Sequence, residues 1–392
     1  MRRFSSSKFA RGSALLVLSF LVVCLLLEIS KFAWPSPAAA QMAPIVSPEV
    51  GPDHRATFRL FAPSAMQVDV DLEGNPGPIP MKKDEHGLWS VTTDPLEPEF
   101  YAYTFRIDGK FPLADPANTH ITPNLLFVST QLHVPGPASL PWEVGDGPHG
   151  VIHHHFYHSK IIGDDRDYYV YTPPDYDIFA KSPYPVLYLL HGFSDDASGW
   201  TAVGRANYIL DHLINEKKAR PMVVVMPLGY GVPSMVRRGF QAFQHEDVVQ
   251  ENLDKYREAL FAEVIPAIEA DYHVSKDRKD RAIAGLSMGG SQSLYVGLNA
   301  LDRFSYIGAF SEGGLPDDFA KDFPSLDTSA AGKLKVLWMS CGKDDHLLAA
   351  DQKARDYIES KGIKVEWVET PGRHQWQVWR RNLINFAPQL FR

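Results

Sequence analysis

One hexapeptide, Gly285-Leu-Ser-Met-Gly-Gly, constrains this chain more than any other segment, because the apolar run Arg281 to Ala284 leads straight into it and a helical stretch follows. Small residues at Gly285 and Gly289 let a strand turn sharply into a helix. Ser287, at the apex, is then held out at the C-terminal edge of a sheet. The Met288 amide begins the following helix and can donate to an anion that forms beside it. The bland alternative is an ordinary serine in a glycine-rich turn; the strand before it and the helix after it argue for the reactive one.

A serine hydroxyl is a weak nucleophile near neutral pH, so it needs a base within reach and a third group to orient that base. In sheets of the α/β-hydrolase kind the chain order is serine, acid, histidine. Two histidines follow Ser287, His346 and His374. His374 sits in a Gly-Arg-His-Gln-Trp turn past the strand expected over Ile363 to Val368, where a loop can reach back over Ser287. His346 follows the preceding strand too closely to leave room for an acid on its own loop, so His374 is the expected base. The acid is expected after the strand over Leu334 to Ser340, where Asp344 and Asp345 compete. A second amide donor is expected from Phe193, in the His191-Gly192-Phe193 turn after an early strand. His191 there is read as a structural side chain that holds the loop.

The rest of the chain falls into two grammars. From Ala56 to about Val144, short strands with turns dominate: Ala56 to Phe61, Gln67 to Leu72, Gly87 to Thr92 and Phe100 to Ile107. In the last of these Tyr101, Tyr103, Phe105 and Ile107 alternate with smaller or polar residues, so one face is apolar, and Asp108-Gly109 closes a hairpin. This reads as a β-sandwich domain over 50–148, ending in the Pro- and Gly-rich linker Pro135 to Pro148. From Val151 strands alternate with helices, with further strands expected over Pro185 to Leu190 and Met222 to Met226 and a helix over Asp247 to Ala270. The fold class is therefore α/β: a parallel-sheet domain over 151–392 with a smaller, immunoglobulin-like β-sandwich before it.

A chain of 392 residues that is 45% hydrophobic has enough apolar surface for two cores. Its 39 Lys plus Arg against 47 Asp plus Glu give a net charge of -8 without a concentrated basic run, which disfavours nucleic acid as a partner. Arg2, Arg3, Lys8 and Arg11, then an apolar stretch from Ala14 to Leu27, then small residues ending at Ala40 have the order of a signal peptide over 1–40, so the mature protein is expected to be secreted or periplasmic. The apolar run is shorter than the ~20 residues of a membrane helix and is interrupted by Glu28 and Lys31, so no stable membrane association is expected if the segment is cleaved, a retained anchor being the alternative. Cys24 follows Val23 rather than a small residue, which disfavours lipidation. Cys341 would be left unpaired, so stability must come from packing rather than disulfides.

With these motifs assembled, residues 165–392 resemble the Putative esterase family, which includes feruloyl esterases, esterase D and mycolyltransferases. The matching pieces are Tyr171-Thr-Pro-Pro, Leu189-Leu-His-Gly with Trp200, Gly285-Leu-Ser-Met-Gly-Gly, Cys341-Gly-Lys-Asp-Asp, and Gly372-Arg-His followed by Trp379-Arg. The resemblance implies the acid lies three positions after Gly342, at Asp345. Tyr101-Ala-Tyr-Thr-Phe-Arg-Ile-Asp-Gly and Asp115-Pro-Ala-Asn resemble the early-set modules related to family-48 carbohydrate-binding modules. Together the two resemblances imply an exported serine esterase acting on feruloyl, cinnamoyl or other acyl esters of plant polysaccharide, without a cofactor. An acyltransferase using the same residues and a non-catalytic glycan-binding protein are the alternatives. Arg237, Arg238, Phe240 and Phe243, in the irregular segment 228–245, are candidates to line an acyl pocket. Tyr101, Tyr103, Phe105 and Trp89 could stack sugars only if exposed, and their strand pattern favours the core. His153, His154, His155 and His158 alternate along an extended segment, which splits them between two faces and disfavours a metal site.

Overall fold

The computed structural model describes residues 44–110, 112–316 and 318–392; the export segment read over residues 1–40 and Cys24 lie outside the described residues. Residues Val46–Arg392 form one compact unit.

The first part is all strand: β1 Glu49–Val50, β2 Ala56–Phe61, β3 Val68–Leu72, β4 Ile79–Pro80, β5 Lys82–Lys83, β6 Leu88–Thr92, β7 Glu99–Ile107, β8 Pro112–Leu113, β9 Ile121–Thr122 and β10 Ser129–Val134. They build two sheets, β1-β2-β6-β5 and β4-β3-β7-β10-β9, with β8 paired to β7. The alternation in β7 sends Tyr101, Tyr103 and Phe105 inward to meet Phe58, Leu60, Val70, Trp89 and Leu132 in one core. Each such side chain contributes roughly 1.5–3 kcal/mol on burial. These aromatics are 0–8% exposed, so they offer no stacking platform for sugars. Asp108 and Gly109 both take positive φ, 50° and 67°, the backbone of a tight turn that the Lys110 amide closes on the Ile107 carbonyl at 3.0 Å. The Asp108 carboxylate also accepts from the Met66 and Gln67 amides at 2.8 and 2.9 Å, which ties the turn to β3.

The second part carries an eight-stranded sheet: β11 Val151–His158, β12 Asp165–Thr172, β13 Val186–Leu190, β14 Val223–Pro227, β15 Arg281–Leu286, β16 Tyr306–Phe310, β17 Val336–Gly342 and β18 Glu366–Thr370. Its order is β11-β12-β14-β13-β15-β16-β17-β18. β12 runs antiparallel to both β11 and β14, and the remaining pairs are parallel. The five longer helices are α1 Ala206–Asn215, α2 Glu246–Ala259, α3 Met288–Leu298, α4 Leu348–Ser360 and α5 Trp376–Phe386. Helix α2 runs on through a π-helical turn at Leu260–Val264 into Ile265–Asp271, close to the single helix expected there. One apolar cluster lies under α2, α3 and α4, and a second under α1 and α5. That is why β13 to β17 are buried along their whole length and read as continuous apolar runs.

This is the α/β-hydrolase arrangement, and its strand order decides where a site can form. β13 lies between β14 and β15, with Leu190 paired in register to Gly285. The chain therefore leaves β13 and β15 at the same sheet edge, on opposite sides of a crevice, the usual place for a ligand in such sheets. The Pro- and Gly-rich stretch 135–148 is packed down: Trp142 and Glu143 are buried, and the Asn215 side chain of α1 donates to the Pro148 carbonyl at 2.9 Å.

Candidate active site

Ser287 stands at the apex of the turn between β15 and α3 with φ 50° and ψ -121°, a left-handed backbone that costs a non-glycine residue energy and has to be held by its surroundings. Two neighbours hold it. The Ser287 amide donates to the Phe310 carbonyl at 2.8 Å, and the Gly313 amide donates to the Ser287 carbonyl at 3.2 Å. The flanking glycines are required by space: a Cβ on Gly285 would come 2.4 Å from the Gly289 carbonyl oxygen, and one on Gly289 would come 2.5 Å from that of His191.

The structure brings three residues together that lie far apart in sequence. His374 Nε2 is 3.0 Å from Ser287 Oγ, and His374 Nδ1 is 2.9 Å from Asp345 Oδ2. A carboxylate can only accept, so Nδ1 carries the proton and Nε2 presents a lone pair to the serine hydroxyl. Asp345 is buried and also accepts from the Leu347 amide at 2.9 Å. Burial raises its pKa, but the His374 hydrogen bond and charge and the Leu347 amide more than offset that and leave it below the usual carboxylate range. Asp344 points the other way, exposed, its amide donating to the Gly372 carbonyl at 3.0 Å. The adjacency that left two candidates in the sequence is thus split by the turn geometry. A hydroxyl, an imidazole lone pair aimed at it and a buried carboxylate behind can together deprotonate the hydroxyl as its oxygen attacks an electrophile.

The turn after β13 passes beside this group: a Cβ on Gly192 would come 3.3 Å from Ser287 Cβ. His191 fastens the turn from inside. Its Nδ1–H donates to the Gly192 carbonyl at 2.8 Å, and its Nε2 accepts from the Gly229 amide at 2.8 Å. Burial pushes its pKa down to about 4, so the ring stays neutral, as that double role demands. The Met288 amide heads α3, where no intrahelical acceptor exists for it.

Of the four residues expected to line an acyl pocket, two share one aromatic group. The Phe243 ring is 5.0 Å and the Phe240 ring 5.2 Å from that of Phe193. Phe243 also reaches the site floor, 2.8 Å from where a Cβ on Gly314 would stand. Arg237 is exposed on the short helix Ser234–Arg238, as is Arg238, and makes no ion pair with another described residue. Sequence reasoning missed Asn124, Asp195 and Tyr230. The Asn124 amide donates to Ser194 Oγ at 2.9 Å and to Asp195 Oδ1 at 3.2 Å, and Tyr230 donates to the Asp195 carbonyl at 2.9 Å. Burial raises the Asp195 pKa to about 7. None of these contacts leaves a local pattern that a sequence could reveal.

Two histidine groups bear on metals. Asp345, His346 and His374 bring one ligand atom each to within 4.8 Å of one another, but an ion there would compete for the Asp345 and His374 atoms that already bond each other. On β11, His153 and His155 contact Thr172 and Tyr272, while His154 and His158 contact Asp167 and Asp165, so the four imidazoles have separate partners.

Residues 159–390 match the family described as Putative esterase, and residues 46–124 match carbohydrate-binding module 48, the isoamylase N-terminal domain. An endo-1,4-beta-xylanase/feruloyl esterase of Xylanibacter ruminicola is 30% identical over 352 residues, which is 88% of this chain and 46% of that protein. The chain thus spans about half the length of that relative. An acetyl esterase of Caldicellulosiruptor saccharolyticus is 24% identical over 51% of this chain and 80% of its own. Among solved structures, the enterobactin esterase of Shigella flexneri superposes with a TM-score of 0.63 at 19% identity, covering 86% of this chain and 92% of that one. A ferulic acid esterase of Anaeromyces mucronatus, solved with ferulic acid, gives 0.56 at 22% identity, covering 65% and 96%. At those identities the two structures speak to the fold.

Proposed function

Because the chain belongs to the Putative esterase family, we propose that it is a serine carboxylesterase that hydrolyses acyl esters through an acyl-enzyme formed on Ser287. The single observation that carries this reading is the hydrogen-bonded series Ser287–His374–Asp345 at the edge of the sheet. Ser287 Oγ attacks the ester carbonyl carbon while His374 Nε2 takes its proton, and Asp345 stabilises the imidazolium. The Met288 and Phe193 amides donate to the oxyanion. The C–O bond to the alcohol breaks, and the alcohol leaves with the proton from His374. Water then attacks the acyl-enzyme by the same route, releasing the acid and restoring the Ser287 hydroxyl.

The substrates we propose are feruloyl or other cinnamoyl esters of plant polysaccharide. The feruloyl esterase named for the Xylanibacter ruminicola relative supports this, as does the aromatic group of Phe193, Phe240 and Phe243, whose Phe193 follows the Gly192 turn beside the serine. The leader-like order of residues 1–40 supports export. The two sheets around one core support an early-set, immunoglobulin-like sandwich, and the division near residue 150 supports two domains. The buried state of Tyr101, Tyr103, Phe105 and Trp89 argues against those four as a sugar platform.

The test is a panel of methyl ferulate, acetylated xylan, 4-nitrophenyl acetate and longer acyl esters, run in ¹⁸O-labelled water. The expected result is a preference for ferulate and one labelled oxygen in the released acid. Unchanged esters throughout the panel would overturn the reading, and a new ester on an added acceptor alcohol in place of labelled acid would point to transfer.

A further inference from the structure

The strip Asn124–Phe127 lies between β9 and β10 of the β-rich region, yet it is spent on the esterase crevice. The Asn124 carboxamide works in two directions. Its oxygen accepts from the Leu126 and Phe127 amides at 3.0 and 2.9 Å and so folds the strip on itself. Its nitrogen donates to Ser194 Oγ and Asp195 Oδ1, and the Leu125 amide adds a 2.7 Å bond to the Ser194 carbonyl. Ser194 sits at φ 74°, a left-handed conformation that a non-glycine residue keeps only under outside restraint. The restraint comes from the strip, one residue beyond the Phe193 amide.

The side chains continue the same connection. Leu126 packs on the apolar cluster that contains Phe193, Tyr230 and Met288. The Phe127 ring lies 6.1 Å from that of Phe240 at 20°, and Phe240 leads on to Phe193 and Phe243. Phe243 ends beside Gly314, and at the neighbouring Gly313 a Cβ would be 3.6 Å from Ser287 Oγ. An aromatic line therefore runs outward from Phe243 through Phe193 and Phe240 and finishes on Phe127 of the β-rich region, with Phe240 61% and Phe127 48% exposed. Rings left open to water at the outer end of a line that begins near the serine suit a planar aryl group.

We infer that residues 124–127 are a positioning and specificity element of the esterase site: Asn124 fixes the Phe193–Asp195 turn, and Phe127 closes the outer end of a wall that takes the aryl ring of an aromatic acyl group. This inference rests on the esterase reading above. It gives the β-rich region a part in choosing the acyl group, which is a separate matter from binding glycan.

Three full-chain variants, Phe127→Ala, Phe127→Tyr and Asn124→Asp, test it against methyl ferulate and 4-nitrophenyl acetate. Phe127→Ala is expected to raise KM for methyl ferulate about tenfold, the scale of one aromatic contact, while kcat and the acetate kinetics stay as in wild type. Phe127→Tyr should restore KM. Asn124→Asp keeps the acceptor that folds the strip and removes the donor to Ser194. It is expected to lower kcat about tenfold on both esters with little change in KM, and to lower Tm because a second carboxylate then stands beside Asp195. The inference is overturned if wild type cleaves both esters and the variants match it, or if Phe127→Ala weakens both esters equally. Wild type that cleaves acetate but not ferulate overturns the aryl assignment, and wild type that cleaves neither overturns the esterase reading with it.

Discussion

The Arg380 guanidinium of α5 lies 3.0 Å from the Glu99 carboxylate of β7, and each side chain is 1% exposed. Arg380 also donates to the Val203 and Phe100 carbonyls, both at 2.8 Å. Nearby, the half-buried Glu73 carboxylate accepts from the Ala102 amide at 2.9 Å and from the Trp376 amide at 3.2 Å. Trp376 begins α5, two residues after His374. The β-rich region is therefore anchored to the helix that follows the proposed base.

Removing one partner of a buried ion pair strands the other charge. Arg380→Met should cost about 3–5 kcal/mol, read as a lower denaturation midpoint, with Arg381, 3.3 Å from Glu99, recovering part of the loss. A midpoint equal to wild type would mean that the pair contributes nothing to cohesion.

The two neighbouring acids should separate in kinetics. Asp345→Asn removes the charge that fixes the His374 tautomer and is expected to lower kcat by roughly 10²–10⁴-fold. Asp344→Asn, at an exposed position, should stay within about twofold of wild type. The opposite ranking would assign the acid to Asp344.

Much of the site could be read from the sequence because its geometry allows few residue types. Gly285 and Gly289 stand where any Cβ would collide with backbone, so the turn must be spelled with small residues. The strands expected over Pro185 to Leu190 and Met222 to Met226 appear as Val186–Leu190 and Val223–Pro227, since strands buried on both faces read as apolar runs. Other elements lack such a signature. β11 is an edge strand of alternating exposure with four histidines, and β16 is a run of only five residues interrupted by Gly308. The last strand begins at Glu366 rather than at Ile363, because Ile363 and Val365 are buried in the core ahead of the β17 pairing. Asn124 meets Ser194 across 70 residues, a contact that neither periodicity nor composition records.

Acidification should destabilise the fold through His191, against an opposite contribution from Asp195, whose folded pKa, raised to about 7 by burial, adds stability as pH falls below that value. Burial sets the folded pKa of His191 near 4, below an unfolded value of about 6.5, so between those values its ring binds more protons in the unfolded chain than in the folded one. The stability it contributes is present above about pH 6.5 and is lost as pH falls toward 4, by up to roughly 3 kcal/mol. His191→Gln should be less stable overall but show a shallower decline in Tm over that window. Parallel curves would place the acid sensitivity elsewhere.

Metal should be dispensable. Chelation is expected to leave turnover unchanged, whereas added zinc should inhibit, because Asp345, His346 and His374 can converge on an ion only by giving up the bond between Asp345 and His374. Loss of turnover on chelation, restored by metal, would contradict this.

The most direct test of the account is covalent capture at the serine. The full chain is treated with a phosphonofluoridate or quenched during turnover of methyl ferulate, then digested and examined by mass spectrometry. An adduct on Ser287 is expected in the peptide that spans the turn between β15 and α3, with neither adduct nor turnover in Ser287→Ala. A label on another residue, or a Ser287→Ala variant that turns over esters at the wild-type rate, would contradict it.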